Sequence, residues 1–205
     1  MANPPIIGHL QSRLKRTLRD ESITLGELDL GTRIFSIVRC RGLKYYIDEE
    51  SSYNVGLLPF RVAESFDYWL SLSMQLNFGL KKVIQVSISF FDETRFRMFR
   101  AEWANNEFKI VHAQPHWHIH NRKPDFNSPL WDEKAVTIFK EEVDEVINDK
   151  VKNIHFAMSS TWHNGFNHVQ SLSESNDTEV LNWIDGVLKY TFEQLTYLHD
   201  KSKVK

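Results

Sequence analysis

VIQVSISFFDETRFRMFRAEWANNEFKIVHAQPHWHIH, residues 83–120, decides the fold class. It divides into three runs, 83–91, 95–103 and 107–120, separated by Asp92-Glu93-Thr94 and Asn105-Asn106. β-Branched and aromatic residues fill the runs and turn formers bound them, which predicts an antiparallel meander. Upstream, 33–39 (RIFSIVR) and 43–48 (LKYYID) flank Cys40-Arg41-Gly42 and predict a further hairpin. Between these segments Val62, Phe66, Trp69, Leu70, Ser73 and Leu76 predict a buried helix over 61–78.

Working outward, Pro4-Pro5 precedes Ile7, Leu10, Leu14 and Leu18 at helical spacing, with Arg13, Lys15, Arg16 and Arg19 off that stripe. This predicts an N-terminal basic amphipathic helix, docked by its apolar side. Ser128-Pro129 resembles an N-cap followed by Pro at the first helical position. Val136, Phe139, Val143, Val146 and Ile147 then mark a helix over 130–149, with Glu141, Glu142, Asp144 and Glu145 as its solvated face. Residues 150–157 read as a strand and 158–176 as a long loop. Asn176 with Glu179 resembles a capping box, opening a last helix that carries Leu181, Ile184, Leu188, Leu195 and Leu198. Neither repeats nor linkers interrupt the pattern. The expectation is a single α+β domain, 1–205: an antiparallel sheet (meander 83–120 plus the N-terminal hairpin) with helices packed on it.

A chain of 205 residues with 41% apolar content can bury roughly 70% of its unfolded surface, so folding needs neither a disulfide nor a structural metal. The net charge of −2 leaves no global basic footprint for nucleic acid. A lone Cys40 excludes an internal disulfide and a cysteine-cluster metal site, and points to a reducing compartment. With no signal-peptide pattern and no long apolar run, the expectation is a cytoplasmic protein without a membrane span.

The chemistry concentrates in histidine. Seven of the nine histidines, His112, His116, His118, His120, His155, His163 and His168, fall between 112 and 168. In a strand, His116, His118 and His120 share one face, while Trp117 and Ile119 share the other. A two-residue loop at Asn105-Asn106 would place Phe99 opposite His112, Arg97 opposite Gln114 and Arg95 opposite His116. That register gathers Arg95 and Arg97 beside the imidazoles, keeps the rings neutral and attracts an anion such as phosphate.

Four readings follow. In the first, the rings merely pack, each hydrogen-bonded beneath a helix. In the second, His116, His118 and His120 bind a divalent metal, Zn or Mn, with a further ligand such as His163. In the third, the site handles a phosphate-bearing ligand, nucleotide or nucleic acid, as a hydrolase or transferase. Its metal-free route uses a neutral imidazole as nucleophile, with Arg95, Arg97, Gln114 and Trp117 binding the ligand. In the fourth, the protein is a non-catalytic subunit that contacts a partner protein through Trp117, Trp162 and the histidines. The alternation of cations and aromatics over 94–100 also suits stacking on single-stranded nucleic acid. Nucleotide-binding and nucleophile-elbow motifs are absent, and Cys40 has no catalytic context.

The run His116-Trp117-His118-Ile119-His120 resembles the His-φ-His-φ-His-φ-φ signature of the histidine triad nucleotide hydrolases and transferases. It departs from that signature at Asn121 and Arg122, which stand where two apolar residues belong. The resemblance implies His118 as the nucleophile on phosphorus.

Overall fold

A computed structural model describes residues 3–28, 33–47, 54–63, 66–77, 82–104, 115–119, 155–157 and 177–202. Helix α1 (Pro5–Leu18) opens the chain. Nine strands follow: β1 (Thr24–Glu27), β2 (Ile34–Arg39), β3 (Lys44–Ile47), β4 (Asn54–Ala63), β5 (Phe66–Asn77), β6 (Lys82–Phe91), β7 (Arg97–Ala104), β8 (His116–Ile119) and β9 (His155–Ala157). Helix α2 (Asp177–Ser202) closes the described chain. All strand pairings are antiparallel, in the order β1-β2-β5-β6-β7-β8-β9. β4 takes the remaining length of the β5 edge that β2 occupies, and β3 pairs with β4. The architecture is α+β and dominated by its sheet.

Register separates the two faces. Paired residues in an antiparallel ladder lie on the same side of the sheet. One side carries the rows Phe35–Met74–Val86–Trp103 and Leu72–Ile88–Ala101–Trp117. A third row, Leu70–Phe90–Phe99–Ile119, lies beside them. This side meets Ile6, Ile7, Leu10 and Leu14 of α1 and Val180, Leu181, Trp183, Ile184, Val187, Leu188 and Leu195 of α2 in one core. Phe192 of α2 packs on Phe60 of β4 with ring centroids 4.8 Å apart. Arg13 of α1 joins the two helices through Asp185 at 2.6 Å and Asn182 at 2.9 Å. The opposite side carries the polar rows Ser36–Ser73–Ser87–Glu102–His116 and Ser71–Ser89–Arg100–His118.

Both terminal helices form where the apolar periodicity predicts them, and the meander is present. Three expectations are corrected. Segments 33–39 and 43–48 do form strands, but they do not pair with each other. β2 is an interior strand with Phe35 and Ile37 buried and both edges filled, by β1 and β5. β3 exposes Tyr45 and Ile47 and pairs instead with β4.

Of the segment 61–78, the described residues 61–63 and 66–77 are not helical; they hold the end of β4 and all of β5. The governing period is two: Leu70, Leu72, Met74 and Leu76 point into the core, and Ser71, Ser73 and Gln75 alternate with them. The third correction is the register of the last hairpin. Glu102 pairs with His116 and Arg100 with His118, whereas the short-loop register sets Arg95 opposite His116. Both registers match apolar with apolar. The observed one also sets the Glu102 carboxylate against the His116 imidazole.

The 92–94 turn forms as predicted, with Asp92 Oδ1 accepting from the backbone N–H of Thr94 and of Phe96, both at 2.9 Å. Arg95 takes the left-handed conformation there, with φ of 66°. The predicted helix over 130–149, the Asn105-Asn106 turn and the loop over 158–176 lie outside the described residues. No helix among the described residues is long and apolar enough to cross a membrane.

Two glycines make contrasting predictions. A Cβ on Gly56 of β4 would collide with the Ile37 carbonyl oxygen of β2, whereas one on Gly8 of α1 would meet nothing within 4 Å. Gly56→Ala is expected to destabilise by about 2 kcal/mol or more, by overpacking against backbone. Gly8→Ala is expected to stabilise by about 0.5–1 kcal/mol, because glycine is a poor helix residue. Urea denaturation of the two variants checks both signs.

Candidate metal centre

β7 and β8 build the site from alternating residues. On β7, Ala101 and Trp103 are buried in the core, so Arg100 and Glu102 project to the opposite side. On β8, Trp117 packs edge-on to Phe99 at 5.6 Å on the core side, so His116 and His118 project beside Arg100 and Glu102. His116 is 1% exposed, and the side chains of Arg100, His118 and Glu102 are 13%, 13% and 16% exposed. The group is therefore largely withdrawn from water.

The polar atoms converge. His116 Nε2 lies 2.8 Å from His118 Nε2. Glu102 Oε2 lies 3.2 Å from His118 Nε2 and 3.1 Å from an Arg100 Nη2, which is itself 3.2 Å from His118 Nε2. Gln85 donates from Nε2 to Glu102 Oε1 at 2.6 Å. One imidazole nitrogen carries either a proton or a lone pair. At His118 Nε2 the carboxylate asks for the proton, while the guanidinium asks for the lone pair. Hydrogen bonding alone cannot meet both demands. A cation between the atoms meets them differently, since both imidazole lone pairs and the carboxylate would then face one positive charge. Ligand atoms of Glu102, His116 and His118 all lie within 4.8 Å of one another, and the three can hold a metal ion.

Burial on its own would raise the Glu102 carboxyl. The hydrogen bond from His118 and the charges of Arg100, His118 and His116 outweigh it and hold the carboxyl down to about 2. Glu102 is thus an anion at neutral pH. Cys40 behaves oppositely: burial and then the Asp20 charge push its thiol up to about 11, which makes it a poor nucleophile at neutral pH.

The predicted site residues are distributed as follows. His116 and His118 come together as the strand periodicity requires. Arg95 sits in the 92–96 turn, and Arg97 stacks over Tyr46 and Phe91 at 5.6 and 5.8 Å from the ring centroids. The arginine that reaches the imidazoles is Arg100. Gln114, His120 and His163 lie outside the described residues. The backbone of His155 is the register partner of His118. Glu102 and Gln85 were not anticipated. A search for acidic residues near the histidines in sequence misses a carboxylate delivered across the ladder; the alternation Arg100-Ala101-Glu102-Trp103 is the signal that reveals it.

No protein-family model, curated protein or solved structure matches the chain. The resemblance of the run 116–120 to the histidine triad signature therefore rests on those few residues alone.

In the metal-free protein, the carboxyl of Glu102 is lower than its ordinary value of about 4.3, so its stabilisation is complete above that pH. It is lost as pH falls from there towards about 2. Glu102→Gln is expected to flatten this acid-side slope. At neutral pH the same variant is expected to lose about 3 kcal/mol, because the buried guanidinium loses its counter-charge. Urea denaturation of both proteins from pH 2 to 7, in the presence of a chelator, measures the difference.

Proposed function

We propose that the protein binds a divalent transition-metal ion, Zn or Mn, through Glu102, His116 and His118, and acts with it on a phosphate-bearing ligand. The reaction class is phosphoester hydrolysis or transfer, and the ligand is a nucleotide or nucleic acid. The observation that carries this reading is the convergence of two imidazole nitrogens and one carboxylate oxygen within 4.8 Å. Two imidazoles and a carboxylate form a donor set suited to such ions, and three protein ligands leave coordination positions for water and substrate.

Arg100 supports the phosphate assignment. Its guanidinium lies 3.1 Å from a ligand oxygen of the triad, close enough to share a substrate anion with the metal. A bound ion in such a site supplies Lewis acidity to the phosphoryl oxygen and activates water. The chain's own contribution is to hold Glu102 ionised, to keep His116 sealed from water and to orient Arg100. The metal route is favoured over direct attack by His118. Its Nε2, 2.8 Å from His116 Nε2 and 3.2 Å from Glu102 Oε2, converges with two other ligand groups, an arrangement a shared cation uses and a lone nucleophile does not.

Elemental analysis of the purified full chain is expected to show about one Zn or Mn per chain, with His118→Ala at background. Turnover of a model phosphodiester, bis(4-nitrophenyl) phosphate, should stop on chelation, return on adding the metal, and be absent in His118→Ala. A metal-free wild type whose activity or fold ignores chelators overturns the reading.

A further inference from the structure

Glu102 has two oxygens in different surroundings. Oε2 faces His118 and Arg100, while Oε1 accepts from the Gln85 side-chain amide at 2.6 Å. Gln85 reaches Oε1 along a diagonal of the β6–β7 ladder: Ser87 is the direct partner of Glu102, and Gln85 is opposite Ala104. The small Ala104 side chain leaves the lateral room that the longer glutamine uses. The amide orientation follows from chemistry, since an ionised carboxylate only accepts. From this geometry we infer that Gln85 is the positioning residue that makes Glu102 a one-oxygen metal ligand. The inference rests on the metal reading above and deepens it.

The consequence concerns how many positions remain for chemistry. A carboxylate with both oxygens unengaged can swing to bind an ion through both. With Oε1 held by Gln85, only Oε2 is presented beside the two imidazole nitrogens. Three donor atoms then contact the ion instead of four, which leaves one more position for water or a phosphoryl oxygen. Outer hydrogen bonds of this kind characteristically set ligand orientation, and their removal weakens metal binding about 10–100-fold.

The test compares the full-length wild type with Gln85→Met, which keeps the side-chain length without the donor, and with Gln85→Ala. Zn2+ affinity is measured by competition with a chelating dye. Co2+ replaces Zn2+ for visible absorption, whose band positions follow the ligand set. Melting of the chelator-treated proteins reports the fold. The expected result is an about 10–100-fold weaker Zn2+ affinity and a shifted Co2+ absorption in both variants, with the metal-free fold retained. If Gln85→Met fails to fold, Gln85→Ala carries the same comparison.

Wild-type affinity and spectrum retained in both variants overturn the inference and leave the metal reading standing. Affinity lost together with metal-free stability, at an unchanged Co2+ spectrum, also overturns it, because the role of Gln85 is then only structural. A wild type that binds neither ion removes the metal reading and this inference together.

Discussion

The pairing of Glu102 with His116 across β7 and β8 is the constraint on which the site depends. It sets a carboxylate and two imidazoles on one side of the sheet and Ala101, Trp103 and Trp117 on the other. A slip of β8 by one residue would turn that strand over, placing His116 and His118 on the core side and Trp117 beside Glu102 and Arg100. The apolar rows against α1 and α2 therefore hold the polar rows in place. Stability of the core and assembly of the site are consequences of one register.

Burial gives the polar cluster its character. In water, a carboxylate, a guanidinium and two imidazoles would interact weakly. Here their attractions outweigh the cost of removing the carboxylate from water, and Glu102 stays ionised. A buried anion beside two nitrogen lone pairs is a strong field for a divalent cation. Gln85 and Arg100 then differ in what they do: one fixes an oxygen of the carboxylate, and the other places a positive charge where an anionic substrate would approach the ion.

Much of the fold was legible because apolar periodicity is a direct readout of burial. α1 and α2 carry apolar stripes at helical spacing, and β6 and β7 carry alternation bounded by a turn whose Asp92 caps its own backbone. β5 was misread because Val62, Phe66, Trp69 and Leu76 happen to fall near helical spacing. The strict alternation from Leu70 to Leu76 is the stronger signal, since every alternate residue there is fully buried. The pairing partners of β2 and β3 were not legible. Strand order depends on which edges remain open in three dimensions, which local pattern does not encode. At the site, the shared face of His116 and His118 follows from strand geometry alone. Glu102 and Arg100 needed the correct register, which the turn signal at Asn105-Asn106 does not supply.

X-ray absorption at the zinc edge, on the full chain loaded with one equivalent of Zn2+, tests the central claim most directly. The account predicts nitrogen and oxygen donors at about 2.0–2.2 Å, with multiple scattering from two imidazoles. His116→Ala should lose one imidazole from that signal, and Glu102→Gln should lose an oxygen donor. Zinc that is not retained, or a wild-type spectrum that survives His116→Ala unchanged, would contradict it.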